Sequence, residues 1–234
     1  MTTSVEEVCK NILQNPKPLI FLDTCIILNV INALHSGELA EDYINHVLKI
    51  TELQNNTSIW LTTAENVREE YFDNIEIVMD TAKKNIDNIF RQIRVMQSFQ
   101  NSIENTSISP PDFKPHNLRA QARKVAERFL NSCLIAKREE IYSVRAMNRV
   151  RQNTPPARRG GREAKDCEIV ECLLDIANKL RGENFNGAIV FITANTKDYG
   201  KSGRLPEPLH QEFQNLNIDY ANYLDHAIRL CGLR

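Results

Sequence analysis

No apolar run in the sequence approaches the roughly 18 residues that a membrane-spanning helix needs. The opening Met1-Thr-Thr-Ser-Val-Glu-Glu has neither a basic segment nor an apolar one of the kind found in secretory leaders, so the expected location is cytoplasmic. Six cysteines are present without a Cys-x-x-Cys pair, and several sit inside apolar runs. Reduced, buried thiols are therefore expected rather than a disulfide framework. The five histidines show no His-x-x-x-His or His-x-x-Glu-His spacing, which removes the usual zinc signatures. Gly200-Lys201-Ser202 looks like the end of a phosphate-binding loop, but the earlier glycine that such a loop requires falls on Asn195. A Gly-x-Ser-x-Gly elbow is missing as well, and with it the serine-hydrolase reading. Internal repeats and low-complexity tails are also lacking.

What is present is an ordinary globular composition, 42% hydrophobic, with an uneven distribution of charge. The formal charge is −8 over residues 1–113, +10 over 114–165 and −3 over 166–234, which together give the net −1 of the chain. A block this basic in an otherwise acidic chain suggests a polyanion partner; solvated helices with charged outer faces are the alternative.

The apolar pattern predicts alternating strands and helices. Strands are expected at Leu19–Leu22, Ser58–Thr62, Ala188–Thr193 and Ile218–Tyr220. Between and around them, helices are expected near residues 4–14, from Thr24 to Gly37, at 39–53, 64–72, 163–180 and 221–230. Two long helices, about 75–104 and 117–150, are separated by a loop rich in proline (Pro110, Pro111, Pro115). This grammar predicts an α/β domain in which a parallel sheet is sandwiched by helices. One domain is expected over residues 1–234, its core at about 18–74 and 162–230 and a long antiparallel helical insertion at about 75–161.

Carboxylates recur where strands end and helices begin. Asp23 closes the apolar run Pro18–Leu22, Glu69 and Glu70 lie in the helix after the second strand, and Asp166 shares a helical face with Ile169, Val170 and Leu173. Asn195 and Asp198 follow the strand that ends at Thr193. Each could be a helix cap or a surface acid, but their ordered recurrence points to one shared site. Hard divalent cations choose oxygen ligands, and open α/β sheets bind ligands beyond their strand ends.

Leu22-Asp23-Thr24, then Thr63, Val67 and Glu69, then Asp166, then Ile192-Thr193-Ala-Asn195-Thr-Lys-Asp198-Tyr199 together resemble the PIN-domain ribonucleases, including their toxin-like members. The resemblance covers about residues 18–74 and 162–230. It implies a PIN-like fold and a metal-dependent endoribonuclease with Mg2+ or Mn2+ held by Asp23, Glu69, Asp166, Asp198 and Asn195. Glu69 is preferred to its neighbour Glu70 because it stands two residues after Val67. Where the family commonly has an aspartate, this chain has Asn195, which would leave the fourth acidic role to Asp198.

RNA, single-stranded or structured, is the implied partner, and the resemblance also leaves room for a homodimer and an inhibitory protein partner. Thr24, Thr193, Lys165 and the loop residues Arg158, Arg159 and Arg162 are the expected nucleic-acid contacts, with Arg119, Arg123, Arg128, Arg145 and Arg149 extending the track. The rival expectation is a catalytically inactive scaffold that binds RNA or protein. A DNA-directed relative of the flap endonucleases has less support, because the acid set is small.

Overall fold

The computed structural model describes residues 2–37, 39, 42–109, 115–157, 164–201 and 204–233. In chain order the elements are β1 (Thr2–Thr3), α1 (Val5–Gln14), β2 (Leu19–Leu22), α2 (Thr24–Asn32), α3 (Tyr43–Asn55), β3 (Trp60–Ala64), α4 (Glu65–Glu104) and α5 (Pro115–Asn131). They continue with β4 (Leu134–Ala136), α6 (Glu140–Gln152), α7 (Ala164–Gly182), β5 (Ile189–Ile192), α8 (Thr196–Tyr199), α9 (Leu209–Asn215), β6 (Ile218–Ala221) and α10 (Leu224–Leu230).

The strands form one parallel sheet in the order β1-β4-β3-β2-β5-β6. β2 and β5 are central and every residue in them is buried, which explains why both read as unbroken apolar runs. In register, Phe21 pairs with Phe191 and Leu22 with Ile192. Phe191 gathers Phe21, Tyr199, Phe213 and Tyr220 at ring-centroid distances of 5.3 to 6.3 Å, filling the core beside β5 and β6.

From β2 the chain builds outward through β3 and β4 to one side, then returns to add β5 and β6 on the other. The order therefore reverses between β2 and β5. In open α/β sheets this is where strand ends diverge and leave a crevice for a ligand.

Helices cover the sheet in two groups. α2 packs on α4, α5 and α3, while α7 packs along α6 and also meets α1. The acidic first turn of α1 is capped by Ser4, whose hydroxyl accepts from the Glu7 amide at 3.3 Å.

Two expectations differ from the fold. The segments 64–72 and 75–104 form one helix, α4, 40 residues long and so about 60 Å from end to end. Its first half is buried through Val67, Tyr71, Ile75, Ala82 and Ile86, whereas Val95, Met96, Phe99 and Ile103 near its far end are exposed.

The helix expected over 117–150 is divided by β4, which lies within the stretch read as all-helical. Ile135 and Ala136 are buried between β3 and β1. Three apolar residues fit a helical stripe as well as a short strand, so periodicity cannot separate them. The unpaired backbone at the edge of β3 decides the matter, because its amides and carbonyls need partners.

Candidate metal and nucleic-acid site

β2 ends at Leu22, and Asp23 caps α2. Its Oδ1 accepts from the Thr24 amide at 2.7 Å, as an N-cap should. Its Oδ2 turns toward β5 and accepts from the Thr193 hydroxyl at 2.5 Å and from the Cys25 thiol at 3.2 Å. Asp23 is only 4% exposed, and the described residues offer it no cationic partner. Burial raises the pKa of its carboxyl, the three donors pull it back, and the nearby Glu70 charge raises it further.

Thr193 is fully buried at the end of β5 and receives the Asn195 amide on its hydroxyl at 3.0 Å. Cys25 accepts from the Ala194 amide at 3.1 Å, so the first turns after β2 and β5 are laced together. Asn222, just beyond β6, extends the lacing by donating to the Thr193 carbonyl at 2.9 Å.

The second acid comes from α4. The Thr24 hydroxyl donates to Glu70 Oε2 at 2.7 Å, while Glu69 is exposed on the next position of the helix. Helical rotation of about 100° per residue separates these neighbours, and the residue that meets Thr24 is Glu70.

Asp166 lies half-buried in the first turn of α7. Its backbone carbonyl accepts from the hydroxyl of the buried Tyr199 at 3.2 Å. Burial holds that phenol far above its usual range, and the charges of Asp23 and Asp166 add to the effect. The start of α7 is also tied to α4, since Asn66 donates to the Lys165 carbonyl at 3.1 Å.

Asp198 and Asn195 are engaged with each other. Asn195 Nδ2 donates to Asp198 Oδ2 at 2.8 Å and Asn195 Oδ1 accepts from the Asp198 amide at 3.3 Å, a reciprocal cap on the four-residue α8.

Near Asp23 stand carboxylate and hydroxyl oxygens and one thiol, Cys25; the oxygens suit magnesium or manganese, and a buried carboxylate facing only neutral donors and another acid would gain from a cation. Among the described residues, no three His, Cys, Asp or Glu side chains stand together as a metal-holding group. An ion on Asp23 would therefore complete its shell with water or substrate oxygens, as magnesium usually does.

The expected nucleic-acid contacts divide. Thr24 and Thr193 are buried, 3% and 0% exposed, with their hydroxyls turned to carboxylates instead of the surface. Lys165 is exposed and lies 3.8 Å from Asp73. Arg158, Arg159 and Arg162 fall outside the described residues.

Several arginines of the basic block hold the fold together. Arg149 is buried, with Nε on Glu171, Nη2 on both oxygens of Glu212 at 2.9 Å and Nη1 on the Pro155 carbonyl at 2.9 Å. Arg123 pairs with Glu76 and Glu127, and Arg138 with Glu168 at 2.6 Å.

Sequence reasoning passed over Cys25 and Asn222. Both follow the rule that polar residues immediately beyond a buried strand face the crevice, and Asn222 stands beyond β6 as Asp23 stands beyond β2.

Beside this network lies a cleft of about 730 Å3, lined by residues of α2, α3 and the turns after β5 and β6.

A family model described as PIN domain matches residues 20–199. No curated protein and no solved structure matches the chain. Among the described residues, no helix is long and apolar enough to cross a membrane.

Proposed function

This chain belongs to the PIN-domain family, whose fold is of nuclease type, and on that premise we propose that it is a metal-dependent endoribonuclease. The observation that carries the reading is Asp23: a buried carboxylate at the strand-order reversal, facing neutral donors and the Glu70 carboxylate.

Asp23 would hold a magnesium or manganese ion, with Glu70 and Asp166 as flanking carboxylates, and Asp198, capped with Asn195 on α8, would be the further acid of the set. Such an ion, when bound, supplies hydroxide from water near neutral pH and offsets charge on the phosphate oxygens. Thr193 and the Thr24 amide fix the Asp23 carboxyl, and the Thr24 hydroxyl fixes Glu70, so both acids are oriented before substrate arrives. Cleavage by water leaves a 5′-phosphate and a 3′-hydroxyl, since it needs no ribose 2′-hydroxyl.

A scaffold that binds RNA without cutting it is the second reading. It is favoured by Asn195, whose amide is spent on capping α8 where the family commonly has an aspartate. Both are tested with a mixed RNA pool and manganese or magnesium, comparing the wild-type chain with Asp23→Asn and Asp166→Asn. Metal-dependent cutting that both substitutions abolish is expected. Equal cutting by all three proteins overturns the metal-nuclease reading, and binding without cutting by wild type favours the scaffold.

A further inference from the structure

We propose that the far half of α4 is the face through which two copies of this chain associate, their helices packed antiparallel along a stripe of Ile89, Val95, Met96, Phe99 and Ile103; an association of this kind does not depend on the nuclease reading above.

The stripe has helical spacing. Ile89, Met96 and Ile103 recur every seven residues, Phe99 lies three beyond Met96 and Val95 flanks them, so the five share about a third of the circumference over a length of about 21 Å. Gln92 completes the stripe, which carries no charged residue. On a helix that met only water such a face would be polar. Here the five apolar side chains are 39% to 69% exposed.

The described residues leave this face bare. Ile86 is buried and Ile93 half-buried on another side of α4. Beyond the helix the chain turns back on the side away from Phe99, where the Asn101 side chain donates to the Ile108 carbonyl and accepts from the Ile108 amide, both at 3.1 Å.

Area and charge select the occupant. Five large side chains this open present roughly 500–600 Å2, a patch of the size that marks an interaction site. Two such faces together bury about 1,000 Å2, the least that a specific interface needs, before flanking residues are counted. An uncharged face offers nothing to a polyanion, but it matches itself. Arg91 and Arg94 stand toward one end of the stripe and Glu104 at the other. Turned end for end, each arginine end comes level with the partner's Glu104, whereas a parallel pair would set Arg91 and Arg94 beside their own copies. The antiparallel pair is closed by a two-fold axis near Met96 and forms a dimer, not a filament.

Glu70 stands 26 residues before Met96, about 39 Å along the helix, so the two sites around Asp23 would lie about 80 Å apart and both would stay open.

The test is the mass of the full chain in solution, by analytical ultracentrifugation. Wild type at about 50 µM is expected to sediment as a dimer, at twice the 26.9 kDa of the chain, and to dissociate on dilution. Phe99→Glu and Ile103→Glu place an unpaired charge in the interface and should weaken association about a hundredfold or more, leaving monomers. Both side chains face solvent in the single chain, so the variants should keep the circular dichroism spectrum of wild type, which separates a lost interface from lost folding. Val144→Glu, at an exposed apolar residue of α6, should leave the dimer intact. Cross-linking reads the orientation, and no native cysteine is exposed. A short bismaleimide should join two Met96→Cys chains but not two Asp87→Cys chains, whose thiols would lie about 30 Å apart in the antiparallel pair. A wild type that stays monomeric at that concentration, whether its stripe takes up a different protein or remains bare, overturns the proposal. So does a dimer that survives Phe99→Glu and Ile103→Glu, one that Val144→Glu disrupts, or one that is cross-linked through Asp87→Cys.

Discussion

The Thr193 hydroxyl donates to Asp23 Oδ2 at 2.5 Å, joining the end of β5 to the end of β2 where the strand order reverses. The two residues are far apart in sequence, and the contact exists only because both strands are central in the same sheet. Thr193→Val keeps the shape and removes the donor to a buried carboxylate. Hydrogen bonds to charged groups are worth about 1.5–3 kcal/mol, and a loss of that size is expected in urea unfolding, with Thr193→Ser recovering most of it. A change below the error of the measurement would contradict the assignment.

Glu70 and Glu69 are adjacent, but only Glu70 reaches Thr24. Glu70→Gln is expected to lower metal-dependent cleavage about 10–100-fold, the usual cost of disturbing the shell around a metal ion. Glu69→Gln, on the exposed face, should cut like wild type. Initial rates at several manganese concentrations distinguish the two, and the opposite ranking would restore Glu69 to the site.

Arg149 is a structural residue within the basic block. Arg149→Ala leaves Glu171, 9% exposed in its side chain, with only Arg145 at 3.9 Å among the described residues. Removing one partner of a buried ion pair costs about 3–5 kcal/mol, which denaturant unfolding would register. RNA affinity of the fraction that remains folded should be unchanged; a selective loss of affinity at full stability would return Arg149 to the nucleic-acid surface.

Buried thiols set an alkaline limit. Desolvation pushes Cys9 from the ordinary value of 9.0 up to about 11, and Cys133 and Cys231 up to about 12. Across that window the folded chain keeps protons that the unfolded chain has released. Stability is therefore full below about pH 9 and falls as pH rises toward 11 to 12. Unfolding midpoints measured at about pH 8 and about pH 11 should show the decline, and replacing Cys133 with alanine should reduce its steepness. Native protein should also resist thiol alkylation until it unfolds.

The sequence by itself determined the strands that are buried on both faces. Leu19–Leu22 and Ile189–Ile192 are apolar throughout because helices cover both sides of the central sheet, and a polar residue must follow where each strand leaves the core. That is why Asp23, Thr193 and the start of α7 at Asp166 were legible, along with the class of fold. The tertiary structure decided what depends on partners distant in the chain. β4 is a strand because β3 offers it an unpaired edge, and no local signal separates Leu134–Ala136 from a helical turn. Glu70 meets Thr24 because α4 docks on α2 at one rotation, and one residue of sequence is 100° of that rotation. Arg149 is a core ion pair because α7 and α9 bring Glu171 and Glu212 to it, whereas in the sequence it is one more charge in a basic run. Local pattern records burial; which side chains meet is fixed only when the elements pack.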